Sequence, residues 1–251
     1  MLLVSDIHGA FEDLGRVAAL GEPLLILGDF LNFVDYRTME GMLADVAGRD
    51  FVVEITALRE RGDHRAAREL WARFVSGREE EIRGRYDTLI RADYAKVAEV
   101  LAGSESYVIY GNVDRPDDLR ACLPDGCRFV DGEVVDIEGV RVGFVGGGVA
   151  SLGTPGEVAE EEMERRLAGL GPVDMLCTHV APAVRPLSRD VIGGRLKESP
   201  AVLAYLEEHR PRWHYFGDIH QPQAISWRVG RTRCTNVGYF RATRRPVRHV
   251  A

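Results

Sequence analysis

Cysteine is scarce in this chain. Cys122, Cys127, Cys177 and Cys234 form no C-x-x-C pair and no zinc-finger spacing, which excludes a disulfide framework and a structural zinc module as organising principles. Reduced thiols and a cytoplasmic setting are the expectation. Lysine is scarcer still: Lys96 and Lys197 are the only two among 32 basic residues, a bias from which no function follows. No apolar run approaches the ~20 residues needed to span a bilayer, so no membrane partner is expected. The start, MLLVSDIHG, lacks a charged n-region and a cleavage site. Internal repeats and low-complexity stretches are absent. So is an excess of positive charge: 32 Lys and Arg face 39 Asp and Glu, for a net charge of −7. That balance disfavours broad adhesion to nucleic acid or to an anionic membrane, while leaving room for a local basic site.

The chain has 251 residues, 45% of them apolar and 28% charged, a composition typical of globular domains. Surface scaling gives roughly 11,000 Å² folded against about 40,000 Å² unfolded, enough burial for a full core without staples. Short apolar runs at Leu2–Val4, Leu24–Leu27, Val108–Tyr110, Met175–Cys177 and Tyr215–Phe216 read as buried strands. Two hairpins are predicted. One pairs Phe129–Ile137 with Val140–Val145 across Glu138-Gly139, and the other pairs Ala224–Val229 with Thr232–Val237 across Gly230-Arg231. Helical stripes follow from Leu14, Val17 and Ala18; from Ala67, Leu70, Trp71, Phe74 and Val75; from Ile90, Tyr94, Val97 and Leu101; and from Met163, Leu167 and Leu170. Ser199-Pro200 has the form of an N-cap followed by proline at the first helical position. The fold class is therefore α/β. A single domain over residues 1–251 is expected, with residues 33–103, rich in helical periodicity and without a strand, as a helical insertion or as ordinary crossover helices. Tyr36 and Trp71 are assigned to packing, and His64, His209 and His249 to the solvated surface. His214 is given a structural role, and the arginines at 241, 244, 245 and 248 a solvated tail. Tyr239 and Phe240 follow the Asn236-Val237-Gly238 turn and could wall a pocket, with packing as the default.

Each strand run leads within a residue or two into polar residues, which is where α/β folds place their sites. In Ser5-Asp6-Ile7-His8-Gly9, Asp6 and His8 are two apart and, on an extended strand end, point the same way. Leu27-Gly28-Asp29 places a carboxylate that could join two cations through its two oxygens, or simply make an Asx-turn. Tyr110-Gly111-Asn112-Val113-Asp114 offers a neutral amide oxygen suited to a hard cation. Asp114 is either part of the chemistry with Asp29 and Asn112 or an organiser of its loop. Cys177-Thr178-His179 and Phe216-Gly217-Asp218-Ile219-His220 complete the set. Each piece is weak alone. Together Asp, His, Asp, Asn, His, Asp and His at five strand ends suit two cations sharing a carboxylate.

This ordered set resembles the calcineurin-like metallophosphoesterases, whose pattern is D-x-H, G-D, G-N-H-D, a single His and G-H-x-H. The resemblance runs from Asp6 to His220, and Asn236-Val237-Gly238 looks like the family's closing turn. It implies a sandwich of two mixed β-sheets flanked by helices, an α+β sandwich. It also implies two divalent metal ions, Mn or Fe favoured, with Zn, Ni or Mg as alternatives. By position, Asp6, His8, Asp29 and His220 would hold the first ion, and Asp29, Asn112, His179 and Asp218 the second, with Asp29 and a hydroxide bridging. Two departures matter. Val113 stands where many members have a histidine that stabilises the transition state or protonates the leaving group, and Asp218 stands where the family has the first histidine of G-H-x-H.

The resemblance implies a phosphoester hydrolase. Val113 tilts the expectation toward a phosphodiesterase acting on a small, nucleotide-like ester, with DNA disfavoured and a homo-oligomer compatible. The alternative is a protein-binding scaffold on the same fold, distinguished by metal content and turnover.

Overall fold

The protein is described by a computed structural model covering every residue except Leu152, Gly193, Arg195 and Ala251. It is an α/β chain that divides into two compact units, Met1–Phe30 with Lys96–Ala251, and Leu31–Ala95.

The first unit carries two mixed sheets. Four strands, Leu2–Val4, Leu24–Leu27, Ser106–Ile109 and Cys127–Phe129, run parallel in that order, with Val247–Arg248 added antiparallel at the Leu2–Val4 edge. In the second sheet Thr232–Asn236, Trp213–Phe216, Met175–Thr178 and Val140–Val145 run parallel, flanked by antiparallel Ser226–Val229 and Val134–Ile137. Successive strand positions alternate between faces, yet every residue of Leu2–Val4 and Leu24–Leu27 is buried. Strands covered on both sides read as continuous apolar runs for that reason. Leu3, Leu25, Leu27 and Ile109 from the first sheet share one core with Phe144, Met175, Cys177 and Tyr215 from the second, so the two sheets pack face to face. Helix Glu160–Leu170 buries Met163, Leu167 and Leu170 and packs on strand Val140–Val145 and on helix Pro200–His209. The latter begins where its sequence signal lies: the Ser199 hydroxyl accepts a hydrogen bond from Val202 N at 3.2 Å, and Pro200 follows. No helix among the described residues is long and apolar enough to cross a membrane.

The second unit is built on helices Met42–Ala47, Arg49–Glu60 and His64–Val75 and the start of helix Glu79–Leu101. Leu43, Val52, Ile55 and Ala67 form its core, with Leu70 and Trp71 packed against it. Phe51 lies 4.8 Å from Phe74 and 6.1 Å from Trp71 between ring centroids. Asp63 caps helix His64–Val75 by accepting from Ala66 N. Arg85 donates to the carbonyls of Asp45 and Val46, the end of a helix where a cation satisfies orphan acceptors.

Several expectations are corrected. Phe129 does not open the first hairpin; it ends a strand of the other sheet, and the hairpin starts at Val134. Tyr36 is 46% exposed and accepts from Arg59. The arginine tail is exposed at Arg244, Arg245 and Arg248, as expected, but it is anchored. Val247–Arg248 is a sheet strand, Arg244 pairs with Asp13, Arg248 with Glu22, and Arg241 donates to His8 O at 2.5 Å. His249 is held by the Tyr215 hydroxyl at 2.9 Å and stands edge-on to Trp213. His209 packs on Tyr205, 4.5 Å between ring centroids. The surface assignment fails for both because sequence neighbours do not reveal what folding brings opposite.

His214 is structural, and its protonation state follows from its neighbours. The Thr178 hydroxyl donates to Val180 O at 2.7 Å, so it must accept from His214 Nε2, 2.9 Å away. The proton therefore sits on Nε2, and Nδ1 is buried with no partner. Burial pushes the imidazole down to about 3. An unfolded histidine titrates near ~6.5, so below that pH the unfolded chain binds the extra proton and stability falls as pH drops toward 3. The expected result, in chelator, is that the stability of wild type relative to His214→Gln falls by about 1–2 kcal/mol between pH 7 and pH 5. Urea midpoints measure it, and a pH-independent difference would contradict this account.

Candidate metal centre

The donors predicted from the sequence lie beyond the carboxyl ends of parallel strands from both sheets of the first unit. Asp6 follows Leu2–Val4, Asp29 follows Leu24–Leu27, and Asn112 follows Ser106–Ile109. His179 follows Met175–Thr178, while Asp218 and His220 follow Trp213–Phe216. The first two turns are laced together: Asp6 N donates to Gly28 O, His8 N to Asp29 O, and Gly9 N to Phe30 O. The backbone needed to do this is unusual. Asp6, His8, Asp29 and Asp218 all have positive φ, at 58°, 41°, 57° and 63°. Side-chain-bearing residues seldom adopt this region, although Asp, Asn and His tolerate it best, and such strain clusters where function over-determines the geometry. Close approach requires glycine at two points. A Cβ on Gly111 would overlap the Asp29 carboxylate, and one on Gly238 would overlap that of Asp6.

The result is two adjoining donor groups. Asp6, His8 and His220 bring one ligand atom each within 4.8 Å of one another, and so do Asp6, Asp29 and His179. In the first group His220 Nε2 is 3.3 Å from Asp6 Oδ1 and 3.2 Å from His8 Nε2. Asp29 serves both sides. Its Oδ2 is 3.6 Å from His8 Nε2 and its Oδ1 is 3.4 Å from His179 Nε2. Asn112 Oδ1 and Asp218 Oδ1 lie 3.3 Å and 3.9 Å from the same His179 nitrogen. All seven predicted ligands thus converge. His179 is set by its other nitrogen: Nδ1 lies 2.7 Å from Leu27 O, an atom that can only accept, so Nδ1 carries a proton and Nε2 is the nitrogen turned toward the carboxylates.

Residues of this kind fit a cation. Asp6 is fully buried, and its Oδ1 has no hydrogen-bond partner of acceptable geometry. Burial alone would raise the Asp6 carboxyl, yet the imidazoles of His220, His179 and His8 outweigh it and hold the group well below the usual range. Burial would likewise lower His179, but Asp29, Asp218 and Asp6 raise it. His220 is raised in the same way by Asp6 against its own burial. The field that favours a proton on these rings favours a bound cation more, since mixed imidazole and oxygen donors suit first-row divalent metals.

Asp114 is fully buried and spends its oxygens on the backbone of two loops. Its Oδ2 accepts from Asp29 N at 2.8 Å and from Gly111 N at 2.9 Å, and its Oδ1 accepts from Phe30 N at 3.0 Å. Burial and the charge of Asp29 push it up to about 7 against those N–H groups. It is a positioning residue for the two loops. Val113 contributes its backbone, donating to Asp29 Oδ1 at 3.1 Å. One neighbour was missed in the sequence: Lys197 donates to Asp218 Oδ1 at 2.5 Å, with its rarity as the only hint. Tyr239, which could wall a pocket with packing as the default, stacks on His220 with centroids 4.0 Å apart and planes 8° from parallel.

Known proteins are similar to this chain in fold. No family model matches it, and no curated protein does. One solved crystal structure superposes with a TM-score of 0.58 at 16% identity, over 95% of this chain and 90% of that one. Another, that of TT1561 from Thermus thermophilus, gives 0.52 at 12% identity, over 98% and 96%. At these identities the likeness is one of fold.

Asp114→Ala should strand three buried N–H groups at about 1–3 kcal/mol each. Asp114→Asn, which keeps one acceptor oxygen, should cost less. Denaturant midpoints in the absence of metal test the order, and equal midpoints for wild type and Asp114→Ala would refute the organising role.

Proposed function

We propose that this protein is a metal-dependent phosphoesterase, more a phosphodiesterase than a monoesterase, of the calcineurin-like metallophosphoesterase kind. The observation that supports the reading best is the division of Asp29, whose two oxygens face two different donor groups. Asp6, His8, Asp29 and His220 would hold one divalent ion, and Asp29, Asn112, His179 and Asp218 the other. Mn or Fe suits these donors best. When bound, two such ions ionise a water near neutral pH and offset the charge that builds on a phosphoryl group.

The chain's own residues do the rest. Asp29 fixes the spacing of the two positions because both of its oxygens are used, and Asp114 holds its backbone. His179, with its proton committed to Leu27 O, stays a neutral donor once a cation replaces the proton on Nε2. His220 is one-third exposed at its side chain and, with Tyr239 stacked on it, marks the solvent side from which a small ester would enter. Nothing at position 113 can hand a proton to a leaving oxygen, because valine has none to give. Esters with poor alkoxide leaving groups should therefore react slowest.

The test is turnover by purified protein with Mn²⁺ on aryl and alkyl phosphodiesters and phosphomonoesters. Aryl diesters should be the best substrates, and activity confined to monoesters would remove the diesterase assignment. Asp29→Asn should lose about 100-fold or more in turnover and most bound metal, given what removal of one preorganised charged contact costs in other sites. Metal binding without any turnover would favour a scaffold on this fold instead.

A further inference from the structure

Lys197 carries the inference. Its ammonium donates to Asp218 Oδ1 at 2.5 Å and to Asp218 O at 3.3 Å, gripping one residue by side chain and main chain. The oxygen it takes is the same one that faces His179 Nε2. The base of the lysine is fixed as well. Lys197 N donates to Ser188 O at 3.1 Å, and Ser188 Oγ to Glu198 at 2.6 Å. The segment before it is tied to the loop after Asp218 through Val191 N and Gln221 O at 2.9 Å. The carboxylate at the other end of the centre is faced by imidazoles instead. Asp6 Oδ1 lies 3.3 Å from His220 Nε2 and 3.9 Å from His8 Nε2, rings that are themselves candidate ligands of that position and not a competing ammonium.

Resting on the metal-centre reading, we propose that Lys197 is a tethered cation that makes the two metal positions unequal. The position of Asp6, His8, Asp29 and His220 binds an ion tightly. An ion at Asp29, Asn112, His179 and Asp218 must share Asp218 Oδ1 with an ammonium or displace it. A divalent ion and a unit positive charge on the same oxygen repel each other even in water. Lysine suits this role better than arginine, because its charge is compact and its stem flexible, so it can withdraw when the second ion enters. Its side chain is 38% exposed, which leaves it a route into solvent.

The experiment is calorimetric titration of chelator-stripped, full-length protein with Mn²⁺, checked by elemental analysis after desalting. Wild type should show one tight and one weak class and retain one ion through desalting. Lys197→Met should tighten the weak class by about ten- to a hundredfold and leave the tight class unchanged. Lys197→Arg should keep the two classes unequal, as in wild type. Asp218→Asn should abolish the weak class in either background. Two ions of equal affinity in wild type, or an unchanged weak class in Lys197→Met, overturns the proposal while leaving the metal centre standing. No ion bound by wild type or variant overturns the metal centre and this proposal with it.

Discussion

Three backbone N–H groups from two neighbouring strand ends converge on one buried carboxylate, that of Asp114. Much of the site depends on this convergence. It fixes the turn after Leu24–Leu27 to the turn after Ser106–Ile109, and so brings Asp29 and Asn112 to bear on the same histidine. The carboxylate is a costly choice of glue, since burial and the nearby Asp29 charge both oppose its ionisation. Three backbone donors offset part of that cost. A cation held by Asp29 would relieve more of it, and the organiser and a bound ion would then stabilise each other.

The strained backbone follows the same logic. Four of the donor residues occupy the left-handed region, and glycines at 111 and 238 let main chain pass against carboxylates. Each conformation is unfavourable alone. The lacing of turn to turn by main-chain hydrogen bonds makes them the way to satisfy the surrounding N–H and carbonyl groups. A site built on strand ends of a packed sandwich is thereby more rigid than one carried on loops alone.

Much of this was legible in the sequence. Buried parallel strands announce themselves as apolar runs, and the polar residues that follow them are the seven candidates that the fold brings together. The helices of 31–95 were legible from their periodicity, and the Ser199 cap from its chemistry. What stayed hidden depended on partners far away in the chain. Phe129 reads as part of a hairpin because nothing local says its strand pairs with Ser106–Ile109. The arginine tail gives no sign that Asp13 and Glu22 come opposite it. Lys197 shows nothing in its own neighbourhood, because its significance lies in the 2.5 Å contact to a residue 21 positions later.

The donor set is also spread in time. His8 and His220 stand 3.2 Å apart across 212 positions of sequence, and Asp6 belongs to both donor groups. A chain emerging from the ribosome exposes His8 a full 212 residues before His220. Loop closure over such a span comes late. Over that interval the polypeptide carries only fragments of the candidate site. Metal capture would be a property of the finished sandwich, and an ion acquired by this protein would report that both sheets had docked.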